Sequence, residues 1–129
     1  MENTLRSALI GWLAADPLLA AALNIITEEV PTRTSAPWLG IAASASTDWS
    51  TKDRKGREVR IALELHTRGE EADETGTVTA LIEDRIASLP AAQAGLRIVS
   101  STFLRARVEQ RARHERAVLL EYRFRLLAN

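Results

Sequence analysis

Leucine and isoleucine recur at helical spacing from the start of the chain, at Leu5, Leu9, Ile10 and Leu13 and again at Leu18, Leu19 and Leu23. Apolar side chains three and four residues apart share one helix face, so this segment predicts a helix capped by Asn3 or Thr4. Pro17 lacks a backbone donor and crowds the preceding turn, which predicts a kink or two short helices meeting at Ala15 to Pro17. Ile25 to Val30 follows as a short strand, ended by Pro31 and the polar stretch Thr32 to Ser35. Trp38 to Ser46 reads as extended, and Thr47 to Arg57 is a polar, charged segment suited to a solvated turn between two strands.

After that turn the period changes to two. Val59, Ile61, Leu63 and Leu65 alternate with Arg60, Ala62, Glu64 and His66, giving one core face and one mainly polar face. Gly69 to Gly76 is acidic and breaks the alternation, after which Val78, Leu81, Ile82, Arg85, Ile86 and Leu89 set an apolar stripe on a second helix, ended by Pro90 and Gly95. Leu96 to Val108 is a long or bent strand. Its adjacent apolar pair Ile98-Val99 suggests a bulge, and Thr102, Leu104, Ala106 and Val108 are expected on its core face. Gln110 to Glu115 forms a charged turn, and Val118, Leu120, Tyr122, Phe124 and Leu126 mark a last strand. The order predicts an α+β fold, a mainly antiparallel sheet of about four to five strands with two helices packed on one face, in a single domain over residues 1–129.

Composition narrows the function classes. A chain of 129 residues with 46% hydrophobic content can bury a core without metal or crosslinks. It has no cysteine, which removes disulfides, thiolate metal sites and cysteine nucleophiles. Seventeen basic residues balance 17 acidic ones, so there is no general attraction to nucleic acid or anionic membrane. The apolar start is not a signal peptide, because Glu2 precedes the first cation, Arg6, and Asp16-Pro17 interrupts the run. No stretch suits a transmembrane helix, and synthesis and assembly in the cytoplasm are expected.

Catalytic motifs are missing. The six glycines form no phosphate-binding loop, and no GxSxG elbow presents a serine. A triad of His66, Asp48 and a serine is conceivable, but surface histidines explain the pattern better. His114-Glu115 opens like HExxH, yet Val118 stands where the second ligand belongs. Glu70, Glu71, Asp73 and Glu74 lack the spacing of a calcium loop and suit a helix start, where Glu71 and Asp73 face the positive end of the dipole. No cofactor or metal is expected.

Charge is unevenly distributed instead. Arg105, Arg107, Arg111, Arg113, Arg116, Arg123 and Arg125 cluster in the last quarter of the chain against Glu109, Glu115 and Glu121. Arg105 and Arg107 share a parity, as do Arg123 and Arg125, so pairing of the two strands predicts a guanidinium row on the face away from the helices. It is either a solvated face balanced by Glu109 and Glu121, or a contact surface for carboxylates or phosphates. With acids at Glu28-Glu29 and Glu70 to Glu74, copies could pack head to tail, giving a ring if the rotation closes.

The segments APWLGIAAS, DWSTKDRKGREVRIALELHTR and IVSSTFLRARVEQRARHERAVLLEYRFRL, with the helix between them, resemble the tail terminator or tail-completion family of long-tailed phages and gene transfer agents. The most specific part is Asp48 to Thr51, followed by Gly56-Arg57-Glu58 and the alternating strand. The resemblance implies a structural virion protein, not an enzyme. It implies a ring, usually of six copies, at the head-proximal end of the tail tube, which stops tube growth and carries the head-tail joining surface. Implied partners are copies of the same chain, the major tail tube protein and a head-tail connector protein, with DNA only in transit and no membrane. Candidate subunit or tube contacts are Asp48, Trp49, Lys52 and Arg54 in the first charged turn and Arg105, Arg107, Arg111 and Arg113 around the second. Trp49 is singled out because tryptophan inside a charged loop is a common interface anchor, core packing against the first helix being the other reading. The rival readings are another head-tail connector, a small nucleic-acid-binding module using the basic face, and a small enzyme or ligand-binding domain with a concave polar pocket.

Overall fold

The computed structural model describes residues 1–68 and 72–129, with the side chains of Ala72 and Asp73 also left out. Helix α1 spans Glu2–Ala14 and α2 spans Pro17–Ala22. The break falls where the sequence places it, since Asp16 is extended and Pro17 starts a new helix at the one position where its missing donor costs nothing. The start differs from expectation. Met1, not Asn3 or Thr4, occupies the cap, and no side chain caps the first turn. Leu5, Leu9 and Leu13, one turn apart, are fully buried.

Strands β1 (Ile25–Glu29), β2 (Trp38–Asp48) and β3 (Gly56–Thr67) precede helix α3 (Ala72–Ala87). Strands β4 (Ala92–Gln93), β5 (Leu96–Gln110) and β6 (Arg116–Ala128) follow it, with a short 3-10 turn at Ala112–His114. The described residues form six strands and three α-helices in place of four to five and two. The extra strand is the two-residue β4, and the extra helix comes from the Pro17 break. The sheet order is β1-β2-β3-β6-β5-β4, antiparallel throughout except for the parallel pair β1-β2. Helix α3 begins inside the acidic stretch Gly69 to Gly76, as a helix start there implies, so Gly76 is helical; Gly69, Glu70 and Glu71 lie outside the described residues.

The core lies between the helices and one sheet face. Val59, Ile61, Leu63 and Leu65 of β3 and Val118, Leu120, Tyr122, Phe124 and Leu126 of β6 all belong to it, as the alternation predicts. Helices α1 and α3 are clamped by Trp12 and Arg85, which explains an arginine within an apolar stripe.

Strand β5 corrects the expected parity. One register shift falls between Ile98 and Ser100, as expected of that apolar pair, and a second falls between Phe103 and Arg105. Each bulge moves the chain by one face, so Thr102 pairs with Arg123 on the helix-free side and Leu104 is an inserted residue. Ala106 and Val108 regain the helix side, opposite Leu120 and Val118, yet both are exposed.

Candidate assembly surfaces

Four strands, β2, β3, β6 and β5, carry the helix-free face. Register places Glu58, Arg60, Glu64 and His66 of β3 there, beside Glu121, Arg123 and Arg125 of β6 and Arg105, Arg107 and Glu109 of β5. The guanidinium row exists, and carboxylates occupy it. Arg105 bonds to Glu121, Arg111 to Glu109, Arg125 to Glu58 at 3.1 Å, and Arg107 lies 3.5 Å from Glu109. Glu109 and Glu121 pair with the row, as the first of the two sequence readings has it, and Glu58 and Glu64 of β3 add to them. The bond from Arg111 holds Glu109 below the usual carboxylate range, and that from Arg105 does the same for Glu121. With most of its arginines paired to carboxylates, such a face offers few free guanidinium groups and is poorly suited to gripping phosphate.

The first charged turn, between β2 and β3, is closed by its own bonds. The Trp49 amide donates to the Gly56 carbonyl at 3.0 Å, the Gly56 amide to the Ser50 hydroxyl at 3.0 Å, and the Thr51 amide to the Arg54 carbonyl at 2.9 Å. Asp48 accepts from Ser50 at 2.7 Å and from Arg57 at 3.4 Å. Lys52 and Arg54 remain exposed. Trp49 is half-buried with the Arg125 guanidinium 5.5 Å from its ring centre, so it stands at the helix-free face and not against α1.

The second charged turn sits at the other end of the sheet. Arg113 and His114 both have left-handed backbone, with φ of 60° and 62°, the conformation a tight hairpin turn requires at its centre. A chain of polar contacts ties this turn to β3. His66 contacts Glu64 through Nδ1 at 3.1 Å and Glu115 through Nε2 at 2.6 Å, while Arg111 lies 3.5 Å from Glu64. Trp38 stacks on the His66 ring. The sequence reading missed this chain; its signal was the pair Glu64 and His66, two residues apart on the outward parity of β3.

The eight candidate contact residues therefore do not form one patch. Asp48, Trp49, Lys52 and Arg54 lie at one end, Arg111 and Arg113 at the opposite end, and Arg105 and Arg107 on the edge strand β5 between them. The 12 residues of β3 separate the ends, a distance of about 40 Å at about 3.3 Å per residue. Asp48 pairs with Arg57 at one end of β3 and His66 lies near the other, which separates the members of the conceivable triad. Among the described residues no group of three His, Asp or Glu side chains could hold a metal ion, and no helix is long and apolar enough to cross a membrane. One open, polar surface concavity is bounded by Arg33, Trp38, His66, Arg68 and Arg113.

The sequence profile of the family described as tail completion protein gp17 matches residues 7–127, and the chain belongs to that family of virion tail proteins. A search of curated proteins gave no match. Among solved structures, a chain from the virion of a native gene transfer agent particle superposes with a TM-score of 0.85 at 21% identity, covering 98% of this chain and 97% of that one. That likeness shows a shared fold.

Proposed function

We propose that the protein is a tail terminator, acting as one domain. Copies assemble head to tail into a ring of six on the head-proximal end of the tail tube, stop tube growth, and present the surface to which the head-tail connector docks. Membership of the tail completion family supports this reading. The observation that carries it is the placing of two differently built charged turns at opposite ends of one sheet. In a ring whose axis runs along the strands, one end meets the tube and the other the connector. The turn holding Trp49, Lys52 and Arg54 and the turn holding Arg111 and Arg113 then serve different partners.

Catalysis has no part in this role. The arginines of the helix-free face that are paired to Glu58, Glu109 and Glu121 suit subunit contacts, and pairing weakens their hold on DNA phosphate.

Native mass spectrometry of the purified protein, and electron microscopy after mixing with tube protein, test the proposal. A six-copy particle that decorates one end of each tube is expected. Trp49→Ala with Lys52→Glu should abolish docking of one partner, and Arg113→Glu docking of the other, with the ring mass unchanged in both. A protein that stays monomeric at every concentration and leaves tubes bare would overturn it.

A further inference from the structure

Strand β1 pairs only with Trp38–Ile41 of β2, and β4 pairs only with Leu96 and Arg97 of β5. Among the described residues, no strand pairs with the outer edge of β2 from residue 42 to residue 48, where Arg6 and Glu2 of α1 bond to the Ser44 and Ser46 hydroxyls, or with that of β5 from residue 99 to residue 110. Long open edges invite pairing with other chains and are normally covered or blocked. We infer that these two edges are each other's cover: β5 of one copy pairs, centred on residues 99–105, with residues 42–48 of β2 in the next. The inference rests on the ring reading and supplies its subunit contact.

Three features point to a second copy as the occupant. The first is level. Following the register across the sheet, Arg105 is opposite Glu121, Ala62 and Ala43 in turn, and Ser101 is opposite Phe124, Val59 and Ser46. The open runs thus lie at the same height on the two sides of the sheet.

The second is direction. Strands β2, β3, β6 and β5 alternate, so β2 and β5 run oppositely. Rotation about an axis along the strands brings the β5 of one copy antiparallel to the β2 of its neighbour. The contact is heterologous and closes into a ring when the rotation is a whole fraction of a turn.

The third is chemistry. The β2 run is Ala42, Ala43, Ser44, Ala45, Ser46, Thr47 and Asp48, every one exposed. The β5 run holds out large apolar groups, with Val99 47%, Phe103 46% and Leu104 38% exposed. Small residues opposite large ones let the backbones approach while the apolar groups leave water. Further along, Val108 is 60% exposed, and Glu29 of β1 lies level with Ala106, next to Arg107. A neighbour's Glu28 and Glu29 would meet that arginine. The bulges at Val99 and Leu104 make the β5 edge irregular and discourage stray strands, while β2 carries a bulge of its own between Ile41 and Ala43. Matching irregular edges select a specific partner.

Because the chain has no cysteine, engineered pairs report cleanly. Ser44→Cys is combined in turn with a cysteine at each position from 99 to 105, oxidised, and run on denaturing gels, with Ser88→Cys replacing the β5 cysteine as control. At least one β5 position should give a ladder from dimer to full ring, and the control none. Val99→Lys with Leu104→Lys should raise the concentration for half-assembly at least tenfold, with the circular dichroism of the monomer unchanged. A ring seen by native mass spectrometry with no ladder at any β5 position overturns the edge pairing and leaves the ring standing. A ladder that appears only with tube protein still requires the two edges to meet, and upholds the pairing as one formed on the tube. Monomer throughout removes the ring reading and this inference together.

Discussion

Trp12 and Arg85 hold each other reciprocally: the indole Nε1 donates to the Arg85 carbonyl at 2.8 Å, and Arg85 Nε donates to the Trp12 carbonyl at 2.8 Å. The guanidinium carbon also sits 3.5 Å from the centre of the indole ring. Two hydrogen bonds and a cation–π contact thus join α1 to α3 near the C-terminal ends of both. Arg85→Ala should lower unfolding stability by about 2 kcal/mol. Arg85→Lys should recover only part of that, because an ammonium lacks the planar fork that lies on the ring. Urea denaturation of the three proteins measures both effects.

His66 fastens the hairpin turn to β3 through Glu64 and Glu115. His66→Ala leaves two carboxylates without that partner, and stability is expected to fall by about 1–3 kcal/mol. Trypsin should then cut faster at Arg111, Arg113 and Arg116 than in the parent protein. Cleavage at an unchanged rate would count against the clasp.

Two glycines should respond oppositely to alanine. A Cβ on Gly56 would lie 2.4 Å from the Trp49 carbonyl oxygen and 2.7 Å from that of Leu126, both backbone atoms. Gly56→Ala is expected to cost about 3 kcal/mol and to loosen the Trp49 turn. Gly76, inside α3, has nothing among the described residues within 4 Å of such a carbon, so Gly76→Ala should stabilise by about 1 kcal/mol. Thermal melts of the two variants decide both.

Acid should weaken the fold. Arg111 depresses Glu109 and Arg105 depresses Glu121, while Glu2 is held low chiefly by the Ser46 hydroxyl. A carboxyl with a depressed folded value stabilises above its unfolded value and loses that contribution as pH falls through the folded one. The urea midpoint should hold above pH 4.5, the ordinary carboxylate value, and decline below it. Glu121→Gln should make the decline shallower.

Tyr122 is the only tyrosine, so its titration can be followed without ambiguity. Burial, with a smaller contribution from the charge on Glu83, pushes its phenol up to about 12. The phenolate absorbance of the folded protein should therefore appear well above pH 10, the ordinary value. A raised folded value gives stability that is complete below the unfolded value and is lost as pH rises through the folded one, so alkali should also weaken the fold. Ionisation near the ordinary value in a protein still folded by circular dichroism would contradict the burial of Tyr122.

The alternation of Val59 to Leu65 and of Val118 to Leu126, the helical spacing of Leu5, Leu9 and Leu13, and the break at Pro17 were all legible along the chain. Each is a local consequence of backbone geometry: period two for a pleated strand, about 3.6 for a helix, and a missing donor at proline. The resemblance that led to the tail-completion family also lay in the sequence. Tertiary structure alone decided what register and topology decide. A second bulge in β5 sends Thr102 to the helix-free face, and Ala106 and Val108 return to the helix side without being covered. Carboxylates of β3, distant in sequence, share in neutralising the arginines of β5 and β6. The two charged turns, alike in composition, stand at opposite ends because β3 and β6 each run the length of the sheet between them. Parity is written residue by residue, but which strands become neighbours, and which edges stay open, depends on contacts between segments far apart in the chain.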